Sequence, residues 1–482
     1  MDVNPKSSVG VPIENHTALT VSWVPVDGTQ AAITPLEGDP NVMLIGNQLR
    51  EYGVELYNPT RFRITMKDGT QYVVSTQNGL ESMTDTNGHT LTYNENGIYH
   101  SSGVGISFER GAGNRIERIT DPFGRQVEYF YDQDGMLEKV VQTGSEPYAM
   151  RVLSNYGYAK GIFPQPVLKA IKAPDGTELG SFEYTDGRLT GLIDANGGRV
   201  VYGYDLPNHR QEITDRRGYT TVYEYDSEGN VTQKTDPDGN VTAWTFDANG
   251  NKLTETDPLG HTTAYTYDSH DNMLTETDPL GNTTTYKYNS RGQVLTVTDP
   301  KGNITSYGYD TRGNLLTTTD PYGDTTTNTY DGNGLLTSTT DCRGYITTYQ
   351  YDAYGNKVLE IDPLGNEIEY TYDQNGNELT RTVYRTNEAG DQIAMTTENF
   401  YDNKNQLVKT IDADLNAATT EYNQLGKKSA EVNQNGVRTE YDYDNAGNLT
   451  VTRYADGTTQ VNSYDAEGNR TGTTDRAGRI TL

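Results

Sequence analysis

A chain of 482 residues with 67 acidic against 38 basic side chains, and a net charge of −29, lacks the basic surface that nucleic acid or heparin requires. Apolar residues make up 33%, Tyr outnumbers Phe 37 to 8, and no run approaches the roughly 18 apolar residues of a spanning helix. That excludes a large aliphatic core and a helical membrane span, and the lone Cys342 excludes an intramolecular disulfide.

Residues 1–60 carry no clear repeat. Short pieces such as Leu19-Thr20-Val21-Ser22-Trp23-Val24 alternate with Gly, Pro and Asp, which predicts edge strands and loops capping one end of a repeat array. The opening Met1-Asp2-Val3-Asn4-Pro5-Lys6 is no signal peptide. From Arg61 a diverged repeat begins, with a turn at Asp68-Gly69, and a better copy holds Asp121-Pro122-Phe123-Gly124 and Tyr131-Asp132. Residues 141 to about 173 interrupt the pattern. Three prolines there, two of them flanking Gln165 just before Val167-Leu168-Lys169-Ala170-Ile171, predict a short helix or packed loop that plugs or covers the sheet.

Between Tyr204 and Tyr372 an aromatic residue followed by Asp or Asn returns every 21 residues: Tyr204, Tyr225, Phe246, Tyr267, Tyr288, Tyr309, Tyr330, Tyr351 and Tyr372. The unit reads Y-D-x-x-G-N-x-L-T-x-T-x-D-P-x-G-N-x-T-T-x-Y-x-Y, one supersecondary module copied in tandem. Each copy holds two turns. In Asp257-Pro258-Leu259-Gly260 the aspartate supplies an acceptor, Pro presets φ and Gly takes positive φ. Asp226-Ser227-Glu228-Gly229, Asp268-Ser269-His270-Asp271 and Asp310-Thr311-Arg312-Gly313 are the second kind. The Thr-, Tyr- and Val-rich segments between turns have strand composition and length, so each repeat is a hairpin and the array one antiparallel meander. A three-residue D-P-x-G loop sets Leu253 opposite Tyr265 and Leu274 opposite Tyr286, on one face. An odd repeat length would flip that face at each copy, so a bulge or a four-residue loop is expected at the Y-D-x-x-G turn. After Tyr372 an eight-residue insertion lengthens a hairpin around Glu388-Ala389-Gly390-Asp391 before register returns at Tyr422, Tyr443 and Tyr464. The last copy stops at Leu482 without a cap, and the array is expected to continue.

The repeat-defining positions are Tyr225, Asp226 and Gly229; Asp257, Pro258 and Gly260; Tyr265, Tyr267 and Asp268; Asp278, Pro279 and Gly281; and Tyr309, Asp310 and Gly313. All are read as structural. A catalytic carboxylate pair would be singular, whereas these aspartates are replicated. The six His residues scatter; His261 stands where the repeat has Asn, and His270 in a variable turn position. No H-E-x-x-H, G-x-S-x-G or P-loop spacing occurs. Asp236-Pro237-Asp238-Gly239-Asn240 lacks the ligand order of an EF-hand, so no calcium site, metal or cofactor is expected. The acceptor triplets at Asn230, Asn240 and Asn282 follow from the repeat's own G-N-x-T grammar.

Over about residues 61–482 this unit resembles the YD repeats of the Rhs family, which includes bacterial Rhs polymorphic toxins, the B and C components of Tc toxins, wall-associated toxins and animal teneurins. The resemblance implies an all-β meander coiling into a spiral, hollow, barrel-like shell. It implies a non-catalytic, secreted or cell-surface wall whose partner is its own C-terminal effector, with delivery or secretion components beside it. The Tyr-Tyr-Asp-Pro core segment that closes bacterial shells is missing here, so self-cleavage is assigned to no residue. A teneurin-like adhesion or glycan-binding module is the alternative.

Overall fold

The structure, a computed structural model, describes residues 3–13, 16–25, 31–38, 40–45, 48–51, 55–143, 150–159, 167–173, 176–386, 392–423 and 425–482. Apart from two short 3-10 turns, Ala112–Asn114 and Leu206–Asn208, its regular elements are β-strands. No helix among the described residues is long and apolar enough to cross a membrane.

The repeat Lys252–Thr256, Thr262–Tyr267, Met273–Thr277 shows how sequence sets geometry. Gly260 N–H donates to the Asp257 carbonyl at 3.0 Å and Asp257 N–H to the His261 carbonyl at 2.9 Å, closing a three-residue loop with Gly260 at φ +85°. The second turn closes in the same way, Asp271 N–H to Asp268 at 3.1 Å and Asp268 N–H to Asn272 at 2.9 Å. Asp271 takes φ +60° where most copies place glycine. Across the first loop Thr254 faces Ala264 and Thr256 faces Thr262, the register that sets Leu253 against Tyr265.

Two three-residue loops in a unit of odd length would turn the tyrosines to alternate faces. In most repeats a bulge prevents this, at the same point. Thr266 faces Thr275 but Tyr267 faces Met273, leaving Leu274 unpaired. Lys287 faces Thr296 but Tyr288 faces Val294, leaving Leu295, and Gly308 and Tyr309 skip Leu316 likewise. Of the two irregularities the sequence allows, most repeats use the bulge, on the strand leaving the Y-D turn, and the copy at Tyr204 uses the longer loop, Asp205 facing Arg210 across residues 206–209. Tyr265 then faces Glu276, Glu276 faces Thr284, and Tyr286 lies two residues on, so Tyr265 and Tyr286 share a face.

The lengthened hairpin forms from Glu378–Thr386 and Gln392–Tyr401, paired from Thr380↔Glu398 to Thr386↔Gln392; residues 387–391 at its tip lie outside the described residues. One expectation is corrected. The segment from 141 to 173 is no helix or plug where it is described, because Met150–Ala159 and Val167–Lys172 are antiparallel strands joined to the meander. The residues from Val167 to Ile171 are apolar enough to keep the ladder, and Pro164 and Pro166 precede the strand, outside the described residues. At the other end Val3–Ile13 pairs with His16–Pro25, and Ala31–Pro35 pairs with Arg61–Met66.

The described pairings link strands to near neighbours in sequence, and none returns the last strand to the first, so hydrogen bonding does not close a barrel. Buried hydrophobic side chains among the described residues are Ile33, Val42, Ile64, Val140, Val141, Ala170, Ala173 and Ala430, none of them between Tyr204 and Tyr372. In that region the strands Met273–Thr277, Val294–Thr298 and Leu315–Thr319 are half-buried at every residue, on both faces. The chain forms two compact units, each of two stretches: Met1–Ser107 with Trp244–Ile346, and Phe108–Ala243 with Thr347–Leu482.

Candidate functional site

Many repeats carry the same polar network, built first on the turn aspartate. Asp278 Oδ1 accepts the backbone N–H groups of Leu280 and Asn282, both at 2.8 Å, and Oδ2 accepts the Asn282 side-chain amide at 2.7 Å. Asp226, Asp268 and Asp310 hold Asn230, Asn272 and Asn314 in the same way at 2.9, 2.7 and 2.9 Å. This explains the Asn that follows many of the turn glycines. His261 does the same work, its Nδ1 2.9 Å from Asp257 Oδ2. The Asn282 amide, then the backbone N–H groups, hold the Asp278 carboxyl below the usual aspartate range; the Asn230 and Asn303 amides act alike on Asp226 and Asp299. Asp257 is lowered first by the His261 N–H. Pro258 and Pro279 occupy the second turn position, and Gly260, Gly281, Gly229 and Gly313 lie at φ +85°, +85°, +93° and +98°. The acceptor triplets at Asn230, Asn240 and Asn282 place amides that are already bonded to Asp226, Asp236 and Asp278.

The tyrosine of each Y-D pair has a role that composition did not reveal. Tyr267, Tyr288, Tyr309, Tyr330 and Tyr372 donate their hydroxyls to the carbonyls of Lys252, Met273, Val294, Leu315 and Lys357, at 2.8 to 3.0 Å. Each carbonyl lies 15 residues back, just past the paired part of its strand, where the ladder leaves it without a backbone donor. Tyr225 departs from this, bonding Gln211 Oε1 at 3.0 Å. Burial raises the phenol pKa at Tyr267, Tyr288 and Tyr309. Tyr265, two residues ahead on the same face, lies under the Lys252 ammonium, 4.7 Å from its ring centre, and Lys252 pairs with Glu255 at 2.5 Å. Lys357, Glu360 and Tyr370 repeat that triad at 2.5 and 5.1 Å.

Within each unit a second feature joins its two stretches, and it is directional. In the first unit Lys67 Nζ, in the turn that stands in place of D-P-x-G, donates to the His270 carbonyl at 2.8 Å and to Asn272 Oδ1 at 2.6 Å. Its stem fills the hollow over Gly292, where an added Cβ would come within 2.9 Å of Lys67 Cε. Asn87 fills the hollow over Gly334 and accepts the Asn314 amide at 3.3 Å. In the second unit Arg216 donates to Glu467 through its backbone N–H at 2.5 Å and its Nη1 at 3.1 Å, and Arg217 Nη1 reaches Asp465 at 3.2 Å. In both, D-P-x-G-type turns of the earlier stretch seat on Y-D-x-x-G turns of the later one. A cleft of about 510 Å³ opens beside the first seam, lined by Lys67, Asp268, Asn272, Leu274, Tyr286 and Tyr288. The aspartates of the turns are spaced along the sheet, and among the described residues no three His, Cys, Asp or Glu side chains are grouped to hold a metal ion. Cys342 is exposed in its turn.

The RHS Repeat family model matches residues 204–241, 246–284, 274–303, 288–325 and 330–367. No curated protein matches the chain. Among solved structures, TcdB2-TccC3-Cdc42 is similar over 97% of this chain and 34% of its own, at 10% identity and a TM-score of 0.47. TcdB2-TccC3 is similar over 95% and 29%, at 14% identity and a TM-score of 0.44. The Tc holotoxin pore of Photorhabdus luminescens is similar over 80% and 29%, at 13% identity and a TM-score of 0.27. The chain thus spans about a third of the length of the solved structures it matches.

Proposed function

We propose, from the premise that residues 204–367 are RHS repeats, that this chain is a length of structural wall in a secreted bacterial toxin of the Rhs type. It encloses a C-terminal effector and catalyses nothing itself. The observation that carries the reading is that no residue between Tyr204 and Tyr372 is fully buried: strands such as Met273–Thr277 are half-buried throughout, and their partners, such as Thr262–Tyr267, run from half-buried to exposed. A two-layer sandwich would bury one face and expose the other in alternation. A wall one sheet thick, with an outer surface and a partly wetted inner one, leaves no side chain fully buried. Tyrosine suits the inner surface because its ring packs while its hydroxyl bonds. The carboxylates that would tempt a hydrolase reading are engaged in holding turns, as Asp278 and Asp310 are.

Limited proteolysis of the full open reading frame tests this. A wall protects the segment that comes after the repeats, and that protection falls when a turn is broken by Gly281→Val. Release of that segment at the rate seen for the same segment made alone overturns the enclosure and leaves the adhesive, glycan-binding module as the reading to pursue.

A further inference from the structure

The seams within the two units have a polarity, and one side of it is unsatisfied in the first unit. There the earlier D-P-x-G-type turns insert Lys67 and Asn87 into hollows over Gly292 and Gly334. The later stretch carries its own row of D-P-x-G turns at Asp257, Asp278, Asp299, Asp320 and Asp341. Their third positions are Leu259, Leu280, Lys301, Tyr322 and Arg343. Leu259 is 81% exposed, Leu280 87% and Tyr322 92%, unusual for large apolar side chains standing in one row. Successive members are two strands apart, about 10 Å along the sheet. Lys301 and Arg343 are exposed in the same row and make no ion pair among the described residues. The complementary feature also occurs undocked: an added Cβ at Gly229, in the turn Asp226-Ser227-Glu228-Gly229, would meet nothing within 4 Å, and Glu228 is exposed.

We propose that the row Leu259, Leu280, Lys301, Tyr322 and Arg343 is a docking edge for a second copy of this chain, which presents its free Y-D-x-x-G turns to it. The knobs enter the hollows over turn glycines, as Asn87, at the same third turn position, does over Gly334, and the two cations meet turn carboxylates, as Arg217 meets Asp465. The occupant is chosen by continuity with the seams already formed, in which D-P-x-G-type turns of one stretch seat on Y-D-x-x-G turns of another. Because the two edges differ, the contact is head-to-tail and does not close on itself as a two-fold dimer would.

Cys342 sits in this row, exposed, and is the chain's single cysteine. It is therefore a site-specific probe that needs no mutation. The chain is labelled there with a photocrosslinker, its mass is followed by light scattering over a wide concentration range, and crosslinked peptides are sequenced. The expected result is mass that rises with concentration, with crosslinks from Cys342 to Y-D-x-x-G turns of another copy. Leu280→Asp with Tyr322→Asp should weaken association roughly tenfold or more. Both side chains are almost fully exposed, so the variant's circular dichroism and melting should match the parent. A monomer at every concentration, crosslinks that map to the D-P-x-G row itself or to strand centres, or association unaffected by the double variant would each overturn the proposal.

Discussion

Gly281 shows what one residue does in this protein. It sits at φ +85° with open space where a Cβ would go, so replacing it with Val costs backbone strain alone. That strain is on the order of 1–3 kcal/mol, and denaturant titration of Gly281→Val should show a loss above about 1 kcal/mol, whereas an ordinary surface change stays within about 0.5 kcal/mol. Tyr288→Phe removes only the hydroxyl that donates to the Met273 carbonyl at 2.8 Å. It should cost about 1 kcal/mol by the same titration, with the ring's packing unchanged. The turn aspartates predict the pH response. Asp226, Asp278, Asp299 and Asp362 all have folded pKa values below the unfolded one. Their contribution is therefore complete above the unfolded value near 4 and is lost as pH falls through the lowered folded values. Urea midpoints should stay level from neutral pH down to about 5 and fall steeply below about 4. The Asp and Gly of these turns were legible in the sequence because a turn is local. The Tyr288 hydroxyl bond to Met273 was not, since it spans 15 residues and its geometry depends on the intervening bulge.

At the scale of the hairpin, the bulge keeps the array coherent. Leu274 is the unpaired residue between Met273 and Thr275, and deleting it would restore simple pairing while turning every later strand over. Deletion of Leu274 should abolish cooperative unfolding and the near-ultraviolet tyrosine signal. Leu274→Ala, which keeps the residue count, should keep both. The odd length of 21 residues makes one irregularity necessary, but parity arithmetic does not choose between a bulge and a longer loop. Where both turns close as the same three-residue loop, with Gly260 and Asp271 in positive φ, the bulge is the irregularity left; where the loop has four residues, as at 206–209, the pairing runs without one. The segment before Val167 hides its strand for a related reason. Prolines weigh against a strand across the whole stretch, although Val167–Lys172 itself contains none and pairs on both sides.

For the whole molecule, the decisive contacts join residues more than two hundred positions apart, 203 for Lys67 with His270 and 251 for Arg216 with Glu467. No periodic pattern announces them. A sequence signal does exist: Lys67 and Arg216 stand at the second turn position, where later copies carry Pro258 and Pro279, and Arg217 at the third, where they carry Leu259 and Leu280. The proposed wall, one sheet thick around an interior, is tested most directly by small-angle scattering at the lowest workable concentration. A solid globule of 482 residues has a radius of gyration near about 23 Å. The wall predicts a value clearly above that, with a pair-distance distribution showing an internal void; a value at or below about 23 Å with no void would contradict it.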